Sequence, residues 1–208
     1  MYEILDIDHW NRKQIYHFFK GFDEPYFGVT VDVDVTKAYA KAKEIQTSFF
    51  LYYLHKSLKA VNGIPPFLYR IDHDNVLIYK KVHASATVNR EDGTFGFSYM
   101  PFDSDYRVFE KNALMEIERI RSTDDLFPAY NGSDVVHFSA IPWLKFTSLS
   151  HARILGKSAS EPKISFGKVT NVNGALTMPC SVHVHHGLMD GKDVGSYFEL
   201  FQQLLDED

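Results

Sequence analysis

"ALTMPCSVHVHHGLMDGKDVG", Ala175 to Gly195, alternates apolar and polar side chains up to a pair of histidines, passes an Asp-Gly and enters a helical pattern. On a strand, successive side chains point to opposite faces. Val182, Val184 and His186 therefore share one face, and His183 and His185 the other. His186 is the odd member of an apolar row, placed where the strand ends. A neutral imidazole in a partly apolar pocket keeps an unprotonated nitrogen near pH 7 and can serve as a general base. A satisfied core histidine fits the same position. Asp190 stands just before the helix, where a carboxylate either caps the helix or holds a buried cation. His183 and His185 form an H-x-H pair of a kind that binds zinc. No Cys or Glu-x-x-His partner motif accompanies them, so no metal site is expected.

Working outward, the helix that follows carries Val194, Tyr197, Phe198, Phe201, Leu204 and Leu205 as one apolar stripe. Near the start, "DHWNRKQIYHFFKG" puts Trp10, Ile15, Phe18 and Phe19 at roughly helical spacing, with Gly21 as the stop. "YFGVTVDVDVT" sets Val29, Val31, Val33 and Val35 against polar partners, a strand with one wet face. A second helix is expected from Lys37 to Val61, closed by Asn62-Gly63. "FLYRI", "NVLIYKKV", "ASATVN" and "TFGFSYM" read as strands, "DYRVFEKNALMEIERIR" as a helix, and "DVVHFSAIPWLKFTSL" and "KISFGKVT" as strands again. This irregular mixture predicts a large mixed sheet covered by helices rather than a regular βαβ repeat.

The 208 residues carry no internal repeat and no linker, so a single domain over residues 1–208 is expected. Apolar residues make up 45% and charged residues 24%, as in an ordinary soluble globular protein. Aromatics reach 15%, enough to line a pocket as well as fill a core. A net charge of −5 with no Lys/Arg-rich block argues against a nucleic-acid partner. No apolar run approaches the roughly 20 residues that span a bilayer, and "MYEILDIDHW" lacks the features of a secretory signal. Cys180 is the only cysteine, which excludes an internal disulfide. A cytoplasmic location is expected.

Several segments together resemble the chloramphenicol acetyltransferase family along nearly the whole chain. They are Val184-His185-His186-Gly187-Leu188-Met189-Asp190-Gly191 against the family's VHHxxxDG, and Trp10-Asn11-Arg12-Lys13 against W-x-R plus a basic residue. Pro142-Trp143-Leu144-Lys145-Phe146-Thr147-Ser148 matches PW-x-x-F-x-S, Ser165-Phe166-Gly167-Lys168 stands where the family has TMGK, and Leu126 to Pro128 reads LFP. The resemblance implies an α/β fold of α+β type, a two-layer sandwich with a large mixed β-sheet covered by helices. It also implies a homotrimer with each active site at a subunit boundary.

Carried over residue by residue, the resemblance makes His186 the base that deprotonates a small hydroxylated acceptor as it attacks acetyl-CoA, with no acyl-enzyme. Ser148 becomes the donor to the oxyanion. Asp190 and Arg12 become a buried ion pair that positions the catalytic loop, and Lys168 lies near the CoA phosphates. Ser165 replaces the family's threonine while keeping the hydroxyl that helps hold a water near the oxyanion. Phe18, Phe19 and Phe27 suit the wall of an acceptor pocket, and core packing explains them as well. His185 is expected to be structural.

The match fails after Ser148, where the family continues with Asn-rich residues and FAP. Here Leu149 to Ile164 contains neither Phe nor Asn, and Ser48 stands where a lysine often precedes an aromatic pair. Acetyl transfer from CoA is therefore a firmer expectation than chloramphenicol as acceptor. Two alternatives stay open: a dihydrolipoyl acyltransferase-like core, which usually reads DHRxxDG in longer chains, and a non-catalytic trimeric small-molecule binding homologue.

Overall fold

A computed structural model of the chain describes residues 1–128, 130, 132–153 and 159–207. In chain order its elements are β1 (Tyr2–Ile4), α1 (Lys13–Lys20), β2 (Tyr26–Asp34), α2 (Thr36–Glu44), α3 (Phe49–Gly63), β3 (Tyr69–Asp72), β4 (Asn75–Tyr79), β5 (His83–Asn89), β6 (Phe95–Phe97), α4 (Tyr106–Arg121), β7 (Val135–Ala140), β8 (Lys163–Phe166), β9 (Thr170–Val172), β10 (Ala175–His185) and α5 (Gly191–Asp206).

Seven strands form one mixed sheet in the order β2-β10-β8-β7-β5-β6, with β9 also pairing to β10. β10 runs antiparallel to both β2 and β8, while β8, β7 and β5 are parallel neighbours. A separate antiparallel sheet has the order β1-β4-β3. The mixed sheet with helices is the architecture the sequence predicts.

Strand alternation sorts the large sheet into two faces. Met178, Cys180, Val182 and Val184 of β10, Ile164 and Phe166 of β8, and Val136 and Phe138 of β7 all join the main core. α3 and α5 cover that face with Leu54, Leu58, Tyr197 and Phe201, each fully buried. Intervening residues put hydroxyls and imidazoles on the other face: Thr30 opposite Ser181, Ser181 opposite Ser165, and His183 opposite Lys163.

Pro179 sits inside β10, where a proline removes a ladder donor. Its carbonyl accepts from Gly167 N at 2.9 Å, so its missing N–H faces the side where β9 has ended and β8 has not begun. The reciprocal bond to Gly167 is the one the proline cannot make, and the pairing with β8 ends there.

The structure corrects the sequence reading in places. The helix expected from Lys37 to Val61 is two helices. Gln46 takes a left-handed φ of 53°, and Ser48 starts α3 as its N-cap, accepting from Leu51 N at 3.4 Å. Between them Thr47 turns its hydroxyl to Tyr106 and Glu110 of α4. The expected apolar face of the first helix is also displaced. Tyr16, not Ile15 or Phe18, is buried, packing with Ile71, Val76 and Leu188 in a small second core. Phe67 and Leu68 belong to a 3-10 turn, so the strand read from "FLYRI" starts at Tyr69. Arg70, fully buried, donates to the carbonyls of Phe67, Tyr69, Ser133 and Val135, which ties the small sheet to the start of β7.

Candidate active site

His186 follows directly on the last residue of β10, and its backbone N donates to the Pro25 carbonyl at 2.8 Å. That bond anchors it beside the start of β2. Its ring lies parallel to Phe19 of α1, with centroids 4.1 Å apart and planes 8° apart. Phe27 of β2 packs on it at 4.6 Å. The Nδ1 atom is buried without a hydrogen-bond partner. Nε2 is therefore the nitrogen that reaches solvent, in the orientation a base needs to meet a hydroxyl.

Arg12, just before α1, holds this turn from behind. Its Nη1 donates to Asp190 Oδ2 at 2.7 Å and its Nη2 to the His186 carbonyl at 3.3 Å. Asp190 is also the N-cap of α5, accepting from Lys192 N at 3.0 Å, while Asp193 accepts from Asp190 N at 2.9 Å. The two readings of Asp190, cap and cation partner, thus hold together, one oxygen for each. The hydrogen bond from Arg12 holds its carboxyl below the usual range, with a contribution from Lys192 N. The pair is not buried as expected: Arg12 is 16% exposed at the side chain but Asp190 is 42%.

His185 points to the opposite face and is buried, its Nδ1 accepting from Gly187 N at 3.1 Å. Burial, helped by the neighbouring His186, pushes its pKa down to about 4, so it stays neutral. Those contacts fit a structural role. Of the aromatics named for an acceptor pocket, Phe19 and Phe27 touch the His186 ring. Phe18 is 63% exposed and packs on Phe19 and Phe22 instead.

Ser148 is exposed in the irregular chain after β7, and no hydrogen bond joins it to His186. Its segment runs beside the end of β8, because Ile141 N donates to Phe166 O and Lys168 N to Leu144 O, each at 2.8 Å. Ser165 is fully buried on β8 with its hydroxyl 3.3 Å from His151 Nε2, a histidine that no sequence pattern singled out. Lys168 is exposed, between Gly167 and Val169. Those two residues line an apolar cleft of about 380 Å³ with Phe49, Phe50, Tyr53 and Trp143. The structure thus joins His186, Arg12, Asp190, Phe19 and Phe27 through direct contacts, and no hydrogen bond links Ser148, Ser165 or Lys168 to that group.

Among the described residues, no group of three His, Cys, Asp or Glu is placed to hold a metal ion. None of their helices is long and apolar enough to cross a membrane. Part of the divergent segment 149–164, residues 154–158, lies outside the described residues.

Comparison with known proteins places these features. The chain is 26% identical to a chloramphenicol acetyltransferase of Bacillus pumilus over 208 residues, covering 99% of this chain and 94% of that one. A solved chloramphenicol acetyltransferase structure superposes with a TM-score of 0.91 at 30% identity, covering 99% of this chain and 100% of that one. A probable dihydrolipoamide acetyltransferase from Listeria monocytogenes shares the fold alone, with a TM-score of 0.65 at 12% identity over 93% of this chain and 88% of that one. The family model described as chloramphenicol acetyltransferase matches residues 1–202. With a whole-chain match and a superposable fold, the chain belongs to the chloramphenicol acetyltransferase family of acyltransferases.

Proposed function

We propose that the chain, acting as one domain, transfers an acetyl group directly from acetyl-CoA to a hydroxyl of chloramphenicol or a related small acceptor. His186 is the general base. The observation that carries this is the ring of His186, clamped between Phe19 and Phe27 with Nδ1 sealed and only Nε2 open. Its carbonyl is held by Arg12, whose own place is set by Asp190.

In the proposed reaction Nε2 takes the proton of the acceptor hydroxyl as that oxygen bonds to the thioester carbonyl carbon. The Ser148 hydroxyl donates to the oxyanion so formed. On collapse the C–S bond breaks and the proton returns from Nε2 to the CoA sulfur. A positioned base contributes about 10²–10⁴-fold in rate, and one oxyanion donor about 10²–10³-fold.

Family membership supports a homotrimer whose sites lie at subunit boundaries, His186 of one subunit facing Ser148 of the next. The apolar cleft suits the pantetheine arm of CoA, with Lys168 beside it for the phosphates. We place the enzyme in the cytoplasm, where acetyl-CoA is available.

The test is acetyl-CoA-dependent release of free thiol with chloramphenicol as acceptor, His186→Ala beside wild type. Turnover by wild type alone supports both base and acceptor. Tight CoA binding without turnover in wild type moves the acceptor to another hydroxyl compound. Turnover that survives in His186→Ala removes the general-base assignment. A requirement for dihydrolipoamide favours the fold relative's chemistry instead.

A further inference from the structure

The Ser148 side chain has no hydrogen bond among the described residues, and the chain after it has no regular structure. Yet that chain is fastened to the polar face of the large sheet at three consecutive residues. His151 Nε2 lies 3.3 Å from Ser165 Oγ on β8. The Ala152 carbonyl accepts from Lys163 Nζ, also on β8, at 3.0 Å. Arg153 meets the Glu24 carboxylate at 2.7 Å, with its guanidinium 4.7 Å above the Tyr26 ring.

Of these, His151 is the link that reaches a hydroxyl of the proposed site. Its ring stands edge-to-face on His183 of β10, with centroids 5.0 Å apart at 89°. His183 has its place only because β2 presents Gly28 opposite it: a Cβ there would lie 2.3 Å from His183 Nε2. Ser181 Oγ lies 3.5 Å from His183 Nδ1 and accepts from Thr30 Oγ1 at 3.1 Å. His151 is thus seated on a prepared polar floor rather than hung from a loop.

We propose that His151 is a positioning residue for acyl transfer, holding the Ser165 hydroxyl and fixing the chain after Ser148 against the sheet. This rests on Ser148 and Ser165 serving the reaction as described above. Burial, reinforced by His183, Lys163, Arg153 and His137 around it, takes the His151 pKa down to about 4, so the ring works as a neutral hydrogen-bonding group. With Nε2 as donor, the proton of Ser165 stays free to point to a water or an oxyanion in the site. His151 lies in the segment where the chain departs from its family pattern.

The experiment combines kinetics with amide exchange on the full-length protein. His151→Ala is expected to lower kcat about tenfold, the effect of one lost hydrogen bond, with KM for acetyl-CoA within about twofold. His151→Gln, which restores a donor, recovers most of that loss. In a Ser165→Ala background, His151→Ala costs nothing further. Amide exchange over residues 147–153 rises about tenfold or more in His151→Ala while α4 is unaffected. Should His151→Ala fail to fold, His151→Phe keeps the ring without the hydrogen bond and takes its place. Equal losses with and without Ser165, or unchanged exchange over 147–153, overturn the proposal while wild type remains active. An inactive wild type overturns the catalytic reading first and this proposal with it.

Discussion

The two faces of the seven-stranded sheet are made by alternate residues of the same strands, yet they are held in opposite ways. On one, Val182, Ile164 and Val136 meet Leu54, Leu58 and Phe201 with no polar atom in need of a partner. Apolar area removed from water stabilises that layer, at about 25 cal/mol per Å². On the other, Ser181 and Ser165 are as deeply buried, but under irregular chain, and specific hydrogen bonds satisfy them. Volume decides the first face; hydrogen bonds and protonation decide the second. Of the groups proposed to act on substrate, Ser165 stands in the polar layer, while His186 follows the apolar row of Val182 and Val184 just past the end of β10, where the strand no longer packs it into the core.

Perturbing one residue of the site and one of the apolar core gives the sharpest test of that contrast. His186→Ala is expected to lower kcat by about 10²–10⁴-fold with the unfolding midpoint nearly unchanged. Phe201→Ala, on the helix side, should cost about 3–5 kcal/mol of stability, with kcat per folded molecule retained. Urea unfolding and turnover measured on both variants decide it; a matched loss of both properties in either one breaks the division.

Acid should act on the polar face. The unfolded chain protonates His185 near 6.5, the ordinary value of an imidazole, whereas burial holds the folded chain's ring neutral until about 4. Its contribution is fully present above pH 6.5 and is lost as pH falls through that window, by about 3 kcal/mol in all. Unfolding midpoints measured from neutral pH down to acid should fall more steeply in wild type than in His185→Asn. Parallel curves would remove His185 from the account.

A smaller effect follows from the close approach of β2 to β10. Gly28→Ala drives a methyl into the His183 ring and should cost about 1–3 kcal/mol, whereas Gly21→Ala, whose new Cβ meets only an atom at 3.8 Å, should be close to neutral. The smallest change is expected at Asp190→Ala. Loss of the cap costs about 0.5–2 kcal/mol, and solvent at its exposed side limits the ion-pair share. That variant should also lower kcat, since Arg12 loses the partner that holds it under the His186 carbonyl. Stability lost with kcat intact would leave Asp190 a cap and nothing more.

Much of this was readable in the chain. The alternation through Val182, Val184 and His186 marked β10 and its two faces, and the stripe from Val194 to Leu205 marked α5, because strand and helix periods are local properties. The break at Gln46 to Ser48 was hidden because apolar spacing on either side stays in phase with one long helix. What stops it is a left-handed residue and a cap whose neighbour, Thr47, bonds to α4. Phe18 carries the same apolar signal as Tyr16, and only the placing of α1 over the small sheet decided which of them is buried.

The sequence by itself determined the order of elements, the family motifs and the candidate histidine, all of which rest on residues within a turn or a strand of one another. The family resemblance already implied the pairing of Arg12 with Asp190; tertiary structure alone decided that Asp190 is half-exposed in it, that Gly28 makes room for His183, and that His151 sits over Ser165. Periodicity records which way a side chain points from its own element; what it then meets depends on which strands pair and which loops fold over them.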